Sequence, residues 1–172
     1  MAKREITATE DAISRIKRGL SAYVSYLAAC DMNSAFSEYV LYEPVLRILT
    51  AQGYAVECEY ECPGVEQPER GDKKRLDFFA KKSGSSFALE VKWARSDSPN
   101  VEKDVVKLRG FLKEFPESRA LLAVFGRRTY IEDLSIELGS QRERGKIICA
   151  DFGRTRYGCR VFQLCSPGWK SS

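Results

Sequence analysis

The stretch Arg75–Trp93, RLDFFAKKSGSSFALEVKW, constrains this chain more than any other. It reads as two strands joined by a tight turn: an apolar run over Arg75–Lys81, turn residues Lys82-Ser83-Gly84-Ser85, and a second apolar run over Ser86–Trp93. Side chains alternate along a strand, so Glu90 and Lys92 share one face while Leu89 and Val91 share the other. Charge in strands this apolar is unfavourable unless it is paired or bound to an ion. If Asp77, on the neighbouring strand, joins the face of Glu90, two carboxylates and an ammonium converge. Hard oxygen donors of that kind suit a divalent ion such as Mg²⁺. The plainer arrangement is an ordinary strand on which Lys92 pairs Glu90.

Composition removes several chemistries. The chain has 172 residues, enough for one domain with a proper core, and no histidine. Catalytic triads, histidine-based metal nucleases and mixed Cys/His zinc sites are thereby excluded. The six cysteines, Cys30, Cys58, Cys62, Cys149, Cys159 and Cys165, form no C-x-x-C pair and are expected to be buried free thiols. No apolar run approaches a membrane span, and Met-Ala-Lys-Arg-Glu is no signal core, so a cytoplasmic chain without a membrane partner is expected. The net charge is +4, with basic residues clustered at Lys73-Lys74-Arg75, Lys81-Lys82 and Arg127-Arg128. Such clusters serve either as solvated surface or as a rim for a polyanion.

Around the central hairpin the pattern predicts further elements. Thr7-x-x-Glu10 is a capping box opening a helix over about Ala8 to Cys30, which either packs against the core or forms a homodimer surface. A second helix is expected over about Ala35–Gln52, kinked or split at Pro44 and stopped by Gly53. Glu38, Leu41, Tyr42, Val45 and Leu49 share its inner stripe, and Glu43 falls beside it. Tyr54–Cys62 should be the first strand, with Val56, Cys58 and Tyr60 on one face and Glu57, Glu59 and Glu61 on the other. Pro63–Lys74 reads as an exposed loop. An amphipathic helix over Val101–Phe115, a buried strand over Ala120–Phe125, a helix capped by Thr129 and Glu132 running to Leu138, and strands over Lys146–Phe152 and Arg160–Leu164 complete the chain. Pattern alone gives α/β with a mixed sheet.

Asp77 followed by Glu90-Val91-Lys92 resembles the signature of the PD-(D/E)xK nuclease superfamily, with Leu76 where the proline usually stands. The segment E-x-x-L-Y-x-P-V from Glu38 resembles the helix that supplies a further carboxylate in some branches, and Lys103–Leu108 resembles the segment after the catalytic strand. The resemblance implies a restriction-endonuclease-like mixed central sheet flanked by helices. Its αβββαβ core would span 35–125, with an extra N-terminal helix in a 7–33 extension and completion by 126–172, as one domain over 1–172. It further implies a Mg²⁺- or Mn²⁺-dependent endonuclease or exonuclease, with DNA as the favoured nucleic-acid partner. Asp77, Glu90 and the carbonyl of Val91 would hold the metal. Lys92 would orient or deprotonate the attacking water or stabilise transition-state charge, and Glu38 would complete the catalytic set. Glu43 is the alternative to Glu38, and Lys107 is a further candidate whose plain reading is a surface lysine. Lys73, Lys74, Arg75, Arg127 and Arg128 are the expected nucleic-acid contacts. The competing reading is a catalytically silent member of the same fold that binds nucleic acid or protein.

Overall fold

The computed structural model describes residues 7–32, 37–136, 141–152 and 154–165. At its centre is the expected hairpin, β2 (Arg75–Lys82) antiparallel to β3 (Ser85–Ala94). Lys82 pairs with Ser85, which leaves Ser83-Gly84 as a two-residue turn; Gly84, at φ +69°, takes the left-handed conformation such turns require. β1 (Ala55–Glu61) lies antiparallel on the outer side of β2. On the other side, β4 (Arg119–Arg127) runs parallel to β3, reached through the crossover helix α3 (Glu102–Glu114). β7 (Thr155–Leu164) lies antiparallel to β4. Two short strands, β5 (Gln141–Glu143) and β6 (Ile148–Phe152), pair with successive halves of β7. The result is a seven-stranded mixed sheet ordered β1-β2-β3-β4-β7-β5, with β6 also on β7.

Helices cover both faces. α1 (Ala8–Ala29) and α2 (Tyr42–Ala51) pack on one, where Ile16, Leu20, Val45 and Leu49 meet Phe78, Phe87, Leu89, Val91, Leu121 and Phe125. α3 covers the other, with Leu108 and Phe111 against Leu76, Phe79, Ala88, Leu122 and Val124; the single turn α4 (Arg128–Ile131) adds Ile131. α1 begins with the full reciprocal capping box of Thr7 and Glu10. Its apolar stripe lies on the sheet and α2, which is the first of the two roles open to it. Lys17, only 3% exposed, fastens it to the far edge: its ammonium donates to the carbonyl of Arg144 at 3.0 Å and to that of Lys146. Ser21 reaches the Ile148 carbonyl at 3.0 Å, and Glu10 pairs Arg144 at 2.6 Å. Among the described residues no helix is long and apolar enough to cross a membrane.

Several expected elements differ. The second helix enters through a 3-10 turn, Tyr39–Leu41, and Pro44 falls in the first turn of α2, where its missing N–H leaves no helical bond unmade. The expected start at Ala35 lies outside the described residues. β1 does not keep one alternating pattern: Val56 packs with the α1 side and Tyr60 with the α3 side, because Glu59 adopts φ +52° and switches the faces between them. Cys58 is exposed, as is Cys30; Cys62 and Cys159 are buried, Cys149 and Cys165 partly so, and all six thiols are free. The capping box at Thr129 does not form. The chain passes directly from β4 into α4, leaving Thr129 inside the turn, and Glu132 pairs with Arg128 instead. Gly139 and Leu138 lie outside the described residues. β7 starts five residues earlier than expected, and β5 was not anticipated.

Two glycines set the Pro63–Lys74 loop against α3. A Cβ on Gly64 would lie 2.4 Å from the carbonyl oxygen of Gly110, and one on Gly110 would strike Val65. Cys62 adds a contact from Sγ to the carbonyl of Lys107 at 3.2 Å.

Candidate functional site

The pairing of β2 with β3 runs from Lys82–Ser85 to Phe78–Leu89 and stops there. One residue further, the side chain of Asp77 takes over: Oδ2 accepts the backbone N–H of Val91 at 2.7 Å, and Oδ1 accepts the hydroxyl of Tyr42. Tyr42 also approaches Glu59 Oε1 at 3.1 Å. Burial, together with the Asp77 carboxylate, pushes the Tyr42 hydroxyl far above its ordinary range, so Tyr42 is the donor. Burial also raises Asp77, against the bonds from Tyr42 and Val91 that favour its charge.

Glu90 projects toward α3 and is 2% exposed. Its Oε2 accepts from Lys107 Nζ at 2.7 Å, while Oε1 has no hydrogen-bond partner among the described residues. Burial, followed by the neighbouring Asp77, pushes this carboxyl up to about 9, outweighing Lys107. Lys107 also donates to the carbonyl of Arg75 at 2.9 Å and stands 3.5 Å from Asp104 Oδ1. The ammonium is therefore ringed by three oxygens, and it is no surface lysine.

Lys92 does not pair with Glu90. Its Nζ lies 3.2 Å from Glu38 Oε1 and 3.6 Å from Asp104 Oδ2. Burial lowers its affinity for a proton, but Asp104 and Glu38 outweigh burial and hold it above the usual lysine range. Glu38 accepts a second bond, from the N–H of Trp93 at 3.1 Å. Glu43 turns outward to Arg47, so of the two helix carboxylates it is Glu38 that borders the site.

Glu38, Tyr42, Glu59, Asp104 and Lys107 line a cleft of about 720 Å³ floored by Asp77, Glu90 and Val91; Lys92 does not line it and lies on the wall of a neighbouring hollow that Glu38 also borders. Lys73, Lys74 and Arg75 stand along its rim, Lys73 paired with Glu61 at 2.6 Å and Lys74 bonded to the Glu66 carbonyl at 2.8 Å. Arg127 and Arg128 do not join them. Leu122 is the β4 partner of Glu90, and Arg127 lies five residues beyond it, roughly 16 Å along the strand. Arg127 sits over the Tyr130 ring, and Arg128 pairs with Glu132.

Two members of the site escaped the sequence reading: Asp104, and Tyr42 as a hydrogen-bond donor. Asp104 had a signal, since it lies four and seven residues before Leu108 and Phe111, on the stripe that faces the sheet. Tyr42 was legible as an inward position of its helix, but nothing local marked it as the donor to an acid thirty-five residues away.

As a cation site, the donor set is hard and oxygen-rich: the Asp77 carboxylate and a Glu90 carboxylate with one oxygen unpartnered in a buried position. Among the described residues no third acid or cysteine closes on them to make a protein-only metal cluster. An ion there needs backbone carbonyl or water to complete its shell, as Mg²⁺ sites commonly do. No family model, no curated protein and no solved structure matches this chain.

Proposed function

We propose that the chain is a nuclease-type hydrolase of restriction-endonuclease-like fold that cleaves phosphodiester bonds in nucleic acid, DNA ahead of RNA, with Mg²⁺ or Mn²⁺. The observation that carries this reading is Glu90: a carboxyl group 2% exposed, beside the half-buried Asp77, with one oxygen unpartnered in a cleft that also carries Lys73, Lys74 and Arg75. Purely structural carboxylates that deep are normally fully satisfied.

Asp77, Glu90 and the carbonyl of Val91 would hold the ion, which when bound supplies Lewis-acid polarisation of a phosphoryl oxygen and a more acidic water. Tyr42 and the Val91 N–H fix the orientation of the Asp77 carboxylate. Lys73, Lys74 and Arg75 attract and seat the phosphate backbone at the rim. Lys92, held as an ammonium by Asp104 and Glu38, donates hydrogen bonds from Nζ and stabilises negative charge as water attacks phosphorus and the bond to the leaving oxygen breaks. In that protonation state Lys92 is an electrostatic group and no base. Glu38 positions it.

The binding-module reading is favoured by a different observation: Lys107 already occupies Oε2 of Glu90, and Glu38 is committed to Lys92 and the Trp93 N–H. The deciding assay offers supercoiled, linear, branched and single-stranded DNA, and RNA, with Mg²⁺, Mn²⁺ or EDTA. Metal-dependent cleavage is expected, lost in Asp77→Ala and lowered about a hundredfold in Lys92→Ala with binding retained. Binding without cleavage of any substrate would transfer the conclusion to the binding module.

A further inference from the structure

Tyr39 is 77% exposed, more than any other large apolar or aromatic side chain described as exposed, and it stands at the mouth of the cleft. It is set on the 3-10 turn before α2, and its ring leans on Tyr42 at 5.6 Å between centroids. Tyr42 is in turn held by Asp77 and Glu59. Tyr39 and Glu38 also line a second concavity of about 430 Å³, whose wall carries Lys92, Trp93, Arg95 and Asn100. The two hollows thus share one ridge, and an aromatic ring forms its crest. Lysines 73 and 74 and Arg75 lie on one side of that crest, and Arg95 lies exposed on the other.

An exposed ring between two hollows that each carry basic side chains has little to offer a phosphate, which is recognised by charge and N–H donors. It offers much to the face of a base, and base faces are accessible only where the strand is unpaired. We infer that the cleft takes an unpaired strand of nucleic acid, one base stacking on Tyr39, with the backbone crossing from the Lys73–Arg75 rim toward Arg95. This names the substrate class for the site and rests on the preceding reading for the kind of polymer. Tyr39 is then the residue that discriminates single strand, flap or frayed end from blunt duplex.

The test uses the full chain in Ca²⁺ buffer, with a short fluorescein-labelled single strand and the blunt duplex of the same sequence. Fluorescence anisotropy reads binding, and a 2-aminopurine base in the single strand reads stacking by quenching. The wild type is expected to bind the single strand more tightly than the duplex and to quench 2-aminopurine. Tyr39→Ala should weaken single-strand binding about tenfold and abolish the quenching, Tyr39→Phe should retain both, and neither should change duplex binding. Since the side chain is exposed, all three proteins should show the same melting curve. An Ala variant that binds single strand like the wild type, or loses equally on duplex, overturns the inference; so does failure to bind either, which would point to a protein partner for the ring. Mg²⁺-dependent duplex cleavage without single-strand preference would leave the hydrolase reading standing and remove this one. Stacking without cleavage would do the reverse.

Discussion

The ammonium of Lys107 lies 2.7 Å from Oε2 of Glu90, while Lys92, two residues from Glu90 on the same strand, is 3.2 Å from Glu38 and 3.6 Å from Asp104. The residue expected beside the acid by strand alternation has been drawn to the helix side, and a lysine from α3 has taken its place. Asp104 joins the two ammoniums, with one oxygen near each.

If Lys107 fills the position of a counter-ion, removing it should change how the site responds to metal. Lys107→Met leaves Glu90 and Asp77 without that charge, and the variant should melt lower than the wild type at pH 8 in EDTA. Titrated Mn²⁺ should then raise its melting temperature more steeply, with an apparent affinity roughly tenfold tighter, ~1.4 kcal/mol. Parallel Mn²⁺ responses in the two proteins would show that the ammonium and the ion do not compete.

Glu90 fixes a sign for the pH dependence of metal-free stability. Its folded value of about 9 stands above the ordinary 4.5. Between those limits the folded chain keeps a proton that the unfolded chain has released. Stability from this group is therefore greatest below pH 4.5 and declines as pH rises toward 9, by at most about 1.4 kcal/mol per pH unit. Glu90→Gln should remove that share of the slope and melt higher than the wild type at pH 8 in EDTA, with the advantage shrinking toward pH 5. Asp77 is shifted in the same direction, so some slope should persist. Superimposable pH profiles for the two proteins would refute the assignment.

Phosphate contact should divide the basic clusters. Lys73→Ala and Lys74→Ala, at the cleft rim, are each expected to reduce the salt dependence of nucleic-acid binding by about one unit of log–log slope. Arg127→Ala, roughly 16 Å along β4 from the level of Glu90, and Arg128→Ala, at the start of α4 just beyond it, should leave the slope unchanged. Equal effects from both pairs would require a footprint reaching beyond the cleft.

Local signals were the readable ones. Thr7 and Glu10 are three residues apart and close their box in the structure; the two-residue turn at Ser83-Gly84 and the buried β4 were equally self-contained. The failures share a cause in partners far along the chain. Thr129 and Glu132 carry the same spacing as Thr7 and Glu10, yet the direct exit from β4 places Thr129 inside the helix and Arg127 at its N-cap, so the box has no cap position to occupy. β5 is only three residues long and exists because Leu164, Gln163 and Phe162 pair with it. In the site, alternation placed Glu90 and Lys92 on one face but could not say which helix would supply each with its opposite charge. That depended on where α3 crosses the sheet. Asp104 was legible as an inward position, although an acid there looks anomalous until Lys92 and Lys107 are both brought to it.

Where α3 crosses also governs the opposite wall. Gly64 and Gly110 meet backbone to backbone, closer than any side chain at either position permits. The loop bearing the rim lysines and the helix bearing Asp104 and Lys107 are thereby spaced by a missing methyl group. A single added carbon at position 110 would act as a wedge: it would widen the mouth without touching a charged group, lifting Lys73 and Lys74 away from the acids across the cleft. The aperture of the cleft is in this sense a backbone dimension, fixed by two hydrogens and insensitive to the charged residues it brings into register.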